Sequence, residues 1–199
     1  MAPSLLQQLV WMDYRLAVLF TVSIPLVLLI WATVQRNEAI QRQMLIYWKV
    51  SSLLAISVLL LIAAMPLGFL TGFLARILIP ISLWFWLDLN DEIDDLPRFR
   101  PLRLAFTSWR WATTVYCGLG TLLTLPVLRC GFLNHLGLLQ DKQCLSWLNP
   151  PFGFRDLLLS SYKPGFVGFF GVLGLVVYGL YLLNFLLARL PRQGRIALG

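Results

Sequence analysis

The sequence predicts an all-α integral membrane protein, a helical bundle of about five transmembrane helices with its N-terminus outside and its C-terminus in the cytoplasm. Two features of the composition indicate this fold class, since 59% of the 199 residues are hydrophobic and only 13% are charged. Soluble proteins average about 45–50% apolar and about 25% charged residues. A soluble domain of this size could not cover so much apolar surface, so lipid must solvate much of the chain.

The first span is predicted at residues 16–34, which carry no charged side chain. A run of about twenty apolar residues is long enough to cross the hydrocarbon core as a helix. Pro25 is expected to kink this helix. Residues 35–47 are polar and form either a loop or a short amphipathic helix.

The second and third spans share one apolar stretch, residues 48–87, which is too long for a single helix. Pro66 and Gly68 predict a break inside it, because these two residue types punctuate helices. The stretch therefore divides into spans at 48–65 and 69–87, joined by a tight hairpin.

The fourth and fifth spans are predicted at residues 111–128 and 165–187. A strongly polar segment precedes the fourth span, and residues 129–164 form a long external loop with a turn at residues 149–151. All five spans belong to a single domain of residues 1–199.

The orientation follows from the distribution of Lys and Arg, which accumulate on the cytoplasmic side of short loops. One side of the five-span arrangement holds ten of the 16 basic residues. These are Arg36, Arg42, Lys49, Arg98, Arg100, Arg103, Arg110, Arg189, Arg192 and Arg195. The opposite side holds five: Arg15, Arg129, Lys142, Arg155 and Lys163. The richer side is therefore assigned to the cytoplasm.

Two of the three cysteines, Cys130 and Cys144, fall in the external loop. Oxidising conditions outside the cytoplasm favour a disulfide between them. Closing so short a loop is worth about 3 kcal/mol in the chain-entropy model. Cys117 lies in the fourth span and is expected to be an unreactive core thiol.

An acidic cluster, residues 88–95, is the sharpest polar feature. If the third helix continued past the membrane, several of its carboxylates would share one face and could hold Mg²⁺ or Ca²⁺. The candidate metal ligands are Asp88, Asp91, Asp94 and Asp95. The alternative is a solvated helix end whose acids pair with nearby basic residues, namely Arg98, Arg100 and Arg103.

Asn90, Asp91 and Asp94 also resemble part of the acidic diphosphate-binding motif of intramembrane prenyltransferases. The resemblance covers only these three positions, and Arg98 stands where that family has a further aspartate. A second acidic motif is missing, and five spans are too few for that family.

Arg76 is a charged residue about a third of the way into the predicted third span. A buried base in lipid costs at least roughly 2.5–3.5 kcal/mol, so such a residue either faces the bundle interior or extends its side chain to the membrane surface. Asp13, near the outer end of the first span, is the nearest acidic partner, and extension towards the external face is the competing interpretation.

Four glycines recur at every third position in the fifth span: Gly165, Gly168, Gly171 and Gly174. Small residues allow transmembrane helices to approach closely. This face is either packed within the bundle or offered to a partner protein.

Three segments resemble an uncharacterised family of multi-pass membrane proteins from cyanobacteria: residues 11–18 (WMDYRLAV), 82–92 (SLWFWLDLNDE) and 107–112 (TSWRWA). The resemblance spans most of the chain. It implies a thylakoid or bacterial plasma membrane location and assigns no catalytic residues.

The function predicted from these observations is non-catalytic. We expect an accessory or assembly factor of a larger membrane complex, with lipid and protein partners, no cofactor and no bound nucleic acid. The alternative is a small transporter, or a lipid- or prenyl-modifying enzyme that uses residues 88–95.

Overall fold

The computed structural model describes residues 5–97 and 99–193, and this part of the chain consists of helices and turns without a strand. Five of its helices are long and apolar enough to cross a membrane, which confirms the predicted class of helical membrane protein. They are α1 (Leu5–Val34), α2 (Glu38–Ile62), α3 (Leu67–Trp84), α5 (Pro101–Thr124, continued by a 3₁₀ turn at Leu125–Phe132) and α8 (Pro164–Asn184). Three shorter helices lie between them: α4 (Leu87–Asp94), α6 (His135–Gln140) and α7 (Lys142–Leu158).

The five long helices alternate in direction, so the bundle has two ends. The disulfide side carries Cys130 and Cys144 together with α6 and α7, and the α4 side carries α4. Helix α8 ends on the α4 side with a π-helical turn at Phe185–Arg189 and a last turn at Leu190–Gln193.

Pro25 changes the geometry of α1, as its position in the span predicts. A π-helical turn, Leu19–Ser23, ends two residues before it. Proline has no N–H to donate, so carbonyl groups in the preceding turn lose their usual partners. Tyr47 donates its hydroxyl to the Thr21 carbonyl oxygen at 2.8 Å, and Trp109 donates its indole N–H to the Phe20 carbonyl oxygen at 2.8 Å. Side chains of α2 and α5 thus complete the backbone hydrogen bonding of α1.

Helix α2 begins earlier than its apolar residues suggest. Asn37 caps it by accepting a hydrogen bond from the Ile40 N–H at 3.0 Å, so residues 38–47 are helical and continue into the span. The helix ends at Ile62, where Ala64 adopts the left-handed conformation at φ 51°. The break between the second and third long helices therefore falls next to Pro66, where the sequence predicts it.

The glycines of α8 pack mainly against α2. A Cβ at Gly168 would lie 2.5 Å from the Ala63 Cβ, and a Cβ at Gly171 would lie 3.0 Å from Leu60. Gly174 faces Ile56 at 3.2 Å, whereas Gly165 has open space around it. Three of the four glycines are therefore packed within the bundle and are not offered to a partner protein.

The predicted turn at residues 149–151 is not present, because Pro150 and Pro151 lie inside helix α7. Both prolines are buried with Trp147 and Leu148, on the face that packs onto α1 and α2. The fixed φ of proline is compatible with a helix, and burial of this apolar face compensates for the hydrogen bonds that the two rings remove. The segment after α5 is thus a folded cap on the disulfide side.

Candidate functional site: an intramembrane cavity

A cavity of about 410 Å³ extends from the disulfide side of the bundle past its middle. Helices α1, α2 and α3 form its walls, and Trp147, Pro151 and Phe154 of α7 form its roof. Its size falls within the range of about 300–1,000 Å³ that is typical of small-molecule sites. The lining is mostly aliphatic and aromatic, as in sites that hold apolar chains.

The cavity reaches the lipid-facing surface between α1 and α2. The second half of α1 packs against α2, whereas the first half, before the π-helical turn, packs instead against α7. Val18 and Val22 on α1, and Ser52 and Ala55 on α2, line the cavity and are also exposed. The opening therefore lies along the sides of two helices that are apolar enough to span a membrane, and not at either end of the bundle.

One ion pair stands at the cavity wall. The Arg76 guanidinium, on α3, donates to the Asp13 carboxylate, on α1, and both side chains are about nine-tenths buried (10% and 11% exposed). The Tyr116 hydroxyl, on α5, lies 3.0 Å from both the Asp13 carboxylate and its backbone carbonyl oxygen. Three helices thus meet at one buried carboxylate, and Arg76 faces the bundle interior and does not extend to the membrane surface.

Gly120 makes room for this arginine. The glycine lies on α5 against the guanidinium, where any Cβ would overlap Nη1. Only a residue without a side chain allows α5 to approach the arginine this closely.

Three N–H groups of cavity-lining residues have no acceptor within the described part of the chain: Trp48 Nε1, Arg76 Nη1 and Trp147 Nε1. The serine and threonine hydroxyls that line the same cavity donate to carbonyl groups of their own helices. Thr21, for example, donates to the Ala17 carbonyl at 2.7 Å and Ser57 to the Leu53 carbonyl at 2.6 Å. Each of these three N–H atoms is enclosed by protein atoms and does not face the open space of the cavity.

The acidic cluster is placed away from the cavity, at the opposite end of the bundle. Helix α3 ends at Trp84, so α4 is a separate helix and does not extend α3. Its Leu89 and Ile93 are buried, while Asp91, Asp94 and Asp95 are exposed and Asp88 is half-buried. Arg103 pairs with Asp94 at 3.6 Å, whereas Arg98 lies outside the described residues. Within residues 5–97 and 99–193, no three Asp, Glu, His or Cys side chains lie close enough together to hold a metal ion.

Helix α4 is fixed by a buried arginine. Arg110, on α5, donates to the Asn90 side-chain oxygen at 2.7 Å, and its guanidinium carbon lies 4.0 Å from the centre of the Trp84 ring. Asn90 in turn donates to the Trp84 carbonyl oxygen at 3.2 Å. These contacts give the polar face of α4 a structural role.

Cys130 and Cys144 lie at disulfide distance, with their Cα atoms 5.8 Å apart. Next to them, Asp141 caps α7 by accepting hydrogen bonds from the backbone N–H groups of Gln143 and Cys144. The Cys144 hydrogen bond foremost, with Gln143 and Arg129 adding to it, holds the pKa of the Asp141 carboxyl below its usual value. The cap is therefore fully formed at neutral pH. Cys117 is buried on α5.

The sequence singles out Arg76 and suggests Asp13 as its partner, but it does not show the cavity. Four further residues of the site belong to no recognisable sequence motif, namely Trp48, Tyr116, Gly120 and Trp147. Gly120 is the one with a usable signal, since a glycine inside a span indicates close approach by a neighbour.

No curated protein and no solved structure matches this chain. A family model described as "Protein of unknown function (DUF3177)" matches residues 7–198, which is nearly the whole chain. The protein therefore belongs to the DUF3177 family.

Proposed function

We propose that this protein is a non-catalytic integral membrane protein that holds a lipid-like molecule in the cavity between α1, α2 and α3. The observation that carries the proposal is the apolar cavity of about 410 Å³, which opens towards acyl chains through the gap between α1 and α2. A site with mostly apolar walls and a few polar groups is the usual form of a small-molecule site.

The orientation and location belong to the same proposal. We place the disulfide side outside and the α4 side in the cytoplasm, because the basic residues accumulate on the α4 side. The cavity would then take its occupant from the outer leaflet. The membrane is the plasma or thylakoid membrane of a cyanobacterium, as the three motif segments imply.

The test is to fill the opening and to measure bound lipid. Ala55 lines the cavity and is exposed at its mouth, so Ala55→Phe should obstruct entry. The matched control is Ala188→Phe, an exposed alanine beyond α8 that does not line the cavity. Native mass spectrometry of gently solubilised protein should show a lipid-sized adduct on the wild type and the control, and little on Ala55→Phe. A wild-type protein without an adduct, or equal occupancy in all three, would refute the proposal.

A second candidate function is that of an accessory or assembly factor in a larger membrane complex, such as a photosynthetic one. The observation in its favour is that α8 packs mainly on α2, so the rest of its surface is available to another membrane protein. The outer end of α8 presents an aromatic row in which Phe166 stacks on Tyr162 at 5.6 Å and meets Phe170 at 5.0 Å. Co-migration of the protein with a stable complex after mild solubilisation would support this function.

A further inference from the structure

We infer that the last two turns of α7 lie in the membrane surface on the disulfide side, where their apolar side chains insert between the lipids of that leaflet. The inference concerns the end of α7, with its exposed leucines Leu157 and Leu158. It holds whether or not the cavity between α1, α2 and α3 takes a ligand.

One face of α7 changes from buried to exposed along the length of the helix. Its residues recur at i, i+4, i+7 and i+11, the spacing of a single helical face. They are Trp147, Pro151, Phe154 and Leu158. The first two are buried, since α7 packs onto α1 and α2, whereas Phe154 is 41% and Leu158 is 63% exposed. The inner face of α7 therefore stays apolar beyond the point where the long helices cover it.

The two sides of the last turns differ in polarity. At 3.6 residues per turn, Leu157 lies on the same side as Phe154 and Leu158, and it is 78% exposed. Asp156 lies on the opposite side and pairs with Arg155 at 2.6 Å. Contiguous exposed apolar side chains mark contact with a protein or a membrane. An apolar side opposite a charged one is typical of a helix that lies in the membrane surface.

The position of this segment next to α8 favours lipid over a soluble partner. Helix α8 is apolar enough to cross a membrane, and it begins at Pro164, six positions after Leu158. The Tyr162 N–H donates to the Leu159 carbonyl oxygen at 3.0 Å, and the Tyr162 ring stacks on Phe166 at 5.6 Å. Aromatic side chains at the ends of spans lie at headgroup depth. The end of α7 therefore reaches the depth at which α8 enters the bilayer, and its inner face is directed towards the acyl chains.

The experiment measures the depth of spin labels on the full-length protein in vesicles of phosphatidylcholine and phosphatidylglycerol. Leu157→Cys and Leu158→Cys place a label on the apolar side, and Asp156→Cys is the matched control on the opposite side of the same turn. Without reductant the three native cysteines stay unlabelled, since two lie at disulfide distance and the third is buried. Collisions with oxygen, which concentrates in hydrocarbon, are compared with collisions with a water-soluble nickel complex. We expect a several-fold higher ratio of oxygen to nickel collisions at the two leucine positions than at Asp156.

Two results would overturn the inference. Labels at both leucine positions that meet the nickel complex as often as the label at Asp156 would show that the end of α7 lies in water. Exclusion of both reagents, with spin–spin broadening that disappears on mixing with unlabelled protein, would show that a second copy of the chain covers this face. Each variant should unfold at the wild-type temperature because the replaced side chains are exposed. If one leucine variant unfolded early, the other would decide the result.

Discussion

Gly120 on α5 lies directly against the guanidinium of Arg76 on α3, so that a Cβ at position 120 would overlap Nη1. The arginine is fixed on its other side by Asp13, on α1. It cannot yield to a larger neighbour without breaking an ion pair in a low-dielectric interior, where a separated charge is costly. Close packing and electrostatics are therefore coupled at this one glycine.

Gly120→Ala should destabilise the protein by about 1–3 kcal/mol, the usual cost of inserting an atom into a packed interior. The matched control is Gly118→Ala on the same helix, where the added Cβ meets no atom within 4 Å. Alanine stabilises a helix relative to glycine by up to about 1 kcal/mol, so the control should unfold at the same or a higher temperature. Thermal unfolding in detergent measures both, and equal stability of the two variants would contradict the packing described for Arg76.

Tyr47→Phe should destabilise the bundle because it removes the donor to the Thr21 carbonyl oxygen, the acceptor that lies four residues before Pro25. An unsatisfied buried carbonyl costs about 1–3 kcal/mol, and no water replaces the donor inside the membrane. Tyr162→Phe is the control, since its side chain is 51% exposed. Thermal unfolding of the two variants gives the comparison. A Tyr47→Phe protein as stable as the control would mean that the Thr21 carbonyl is satisfied in another way.

The cysteines should differ in reactivity. In protein purified from its native membrane without reductant, Cys130 and Cys144 should resist alkylation and both should react after reduction, because they lie at disulfide distance. Replacing both by Ser should cost about 3 kcal/mol, since the bond closes a short loop. Cys117 is buried and should react only on unfolding. Mass spectrometry of alkylated peptides distinguishes the three, and free thiols at both loop positions would show that the pair is reduced.

The spans could be predicted because length and hydropathy alone decide whether a helix can cross a bilayer. The cavity could not, because its wall joins residues distant in sequence. Arg76 and its partner Asp13 are 63 positions apart, and no local pattern indicates that the first half of α1 packs against α7 while the second half packs against α2. The π-helical turn of α1 can be expected from Pro25. The donors that satisfy its carbonyl oxygens cannot, because Tyr47 and Trp109 lie on other helices. The helical conformation of residues 142–158 was missed because Pro150 and Pro151 indicate a turn locally, whereas tertiary burial favours a helix.

Topology reporters should place the C-terminus and the segment of residues 129–164 on opposite sides of the membrane. A reporter fused after Gly199 should be cytoplasmic, and an epitope inserted in residues 129–164 should be reachable from outside. The physical reason is the excess of basic residues on the α4 side together with an odd number of crossings. Protease protection in sealed vesicles provides the measurement. Finding both tags on the same side would overturn the five-span arrangement.

The acidic helix α4 should not bind Mg²⁺, although it is the feature on which an enzyme hypothesis would depend. Asp91, Asp94 and Asp95 are exposed, and Arg103 lies 3.6 Å from Asp94. Surface ion pairs of this kind are worth only about 0–1 kcal/mol, so changing Asp91 and Asp94 together to Asn should alter the melting temperature little. A bound cation would stabilise the folded state by mass action, and Mg²⁺ would then raise the melting temperature of the wild type but not of the double variant. We expect no Mg²⁺-dependent rise in either protein. A rise in the wild type that the two substitutions abolish would instead favour a transporter or a lipid- or prenyl-modifying enzyme that acts through residues 88–95.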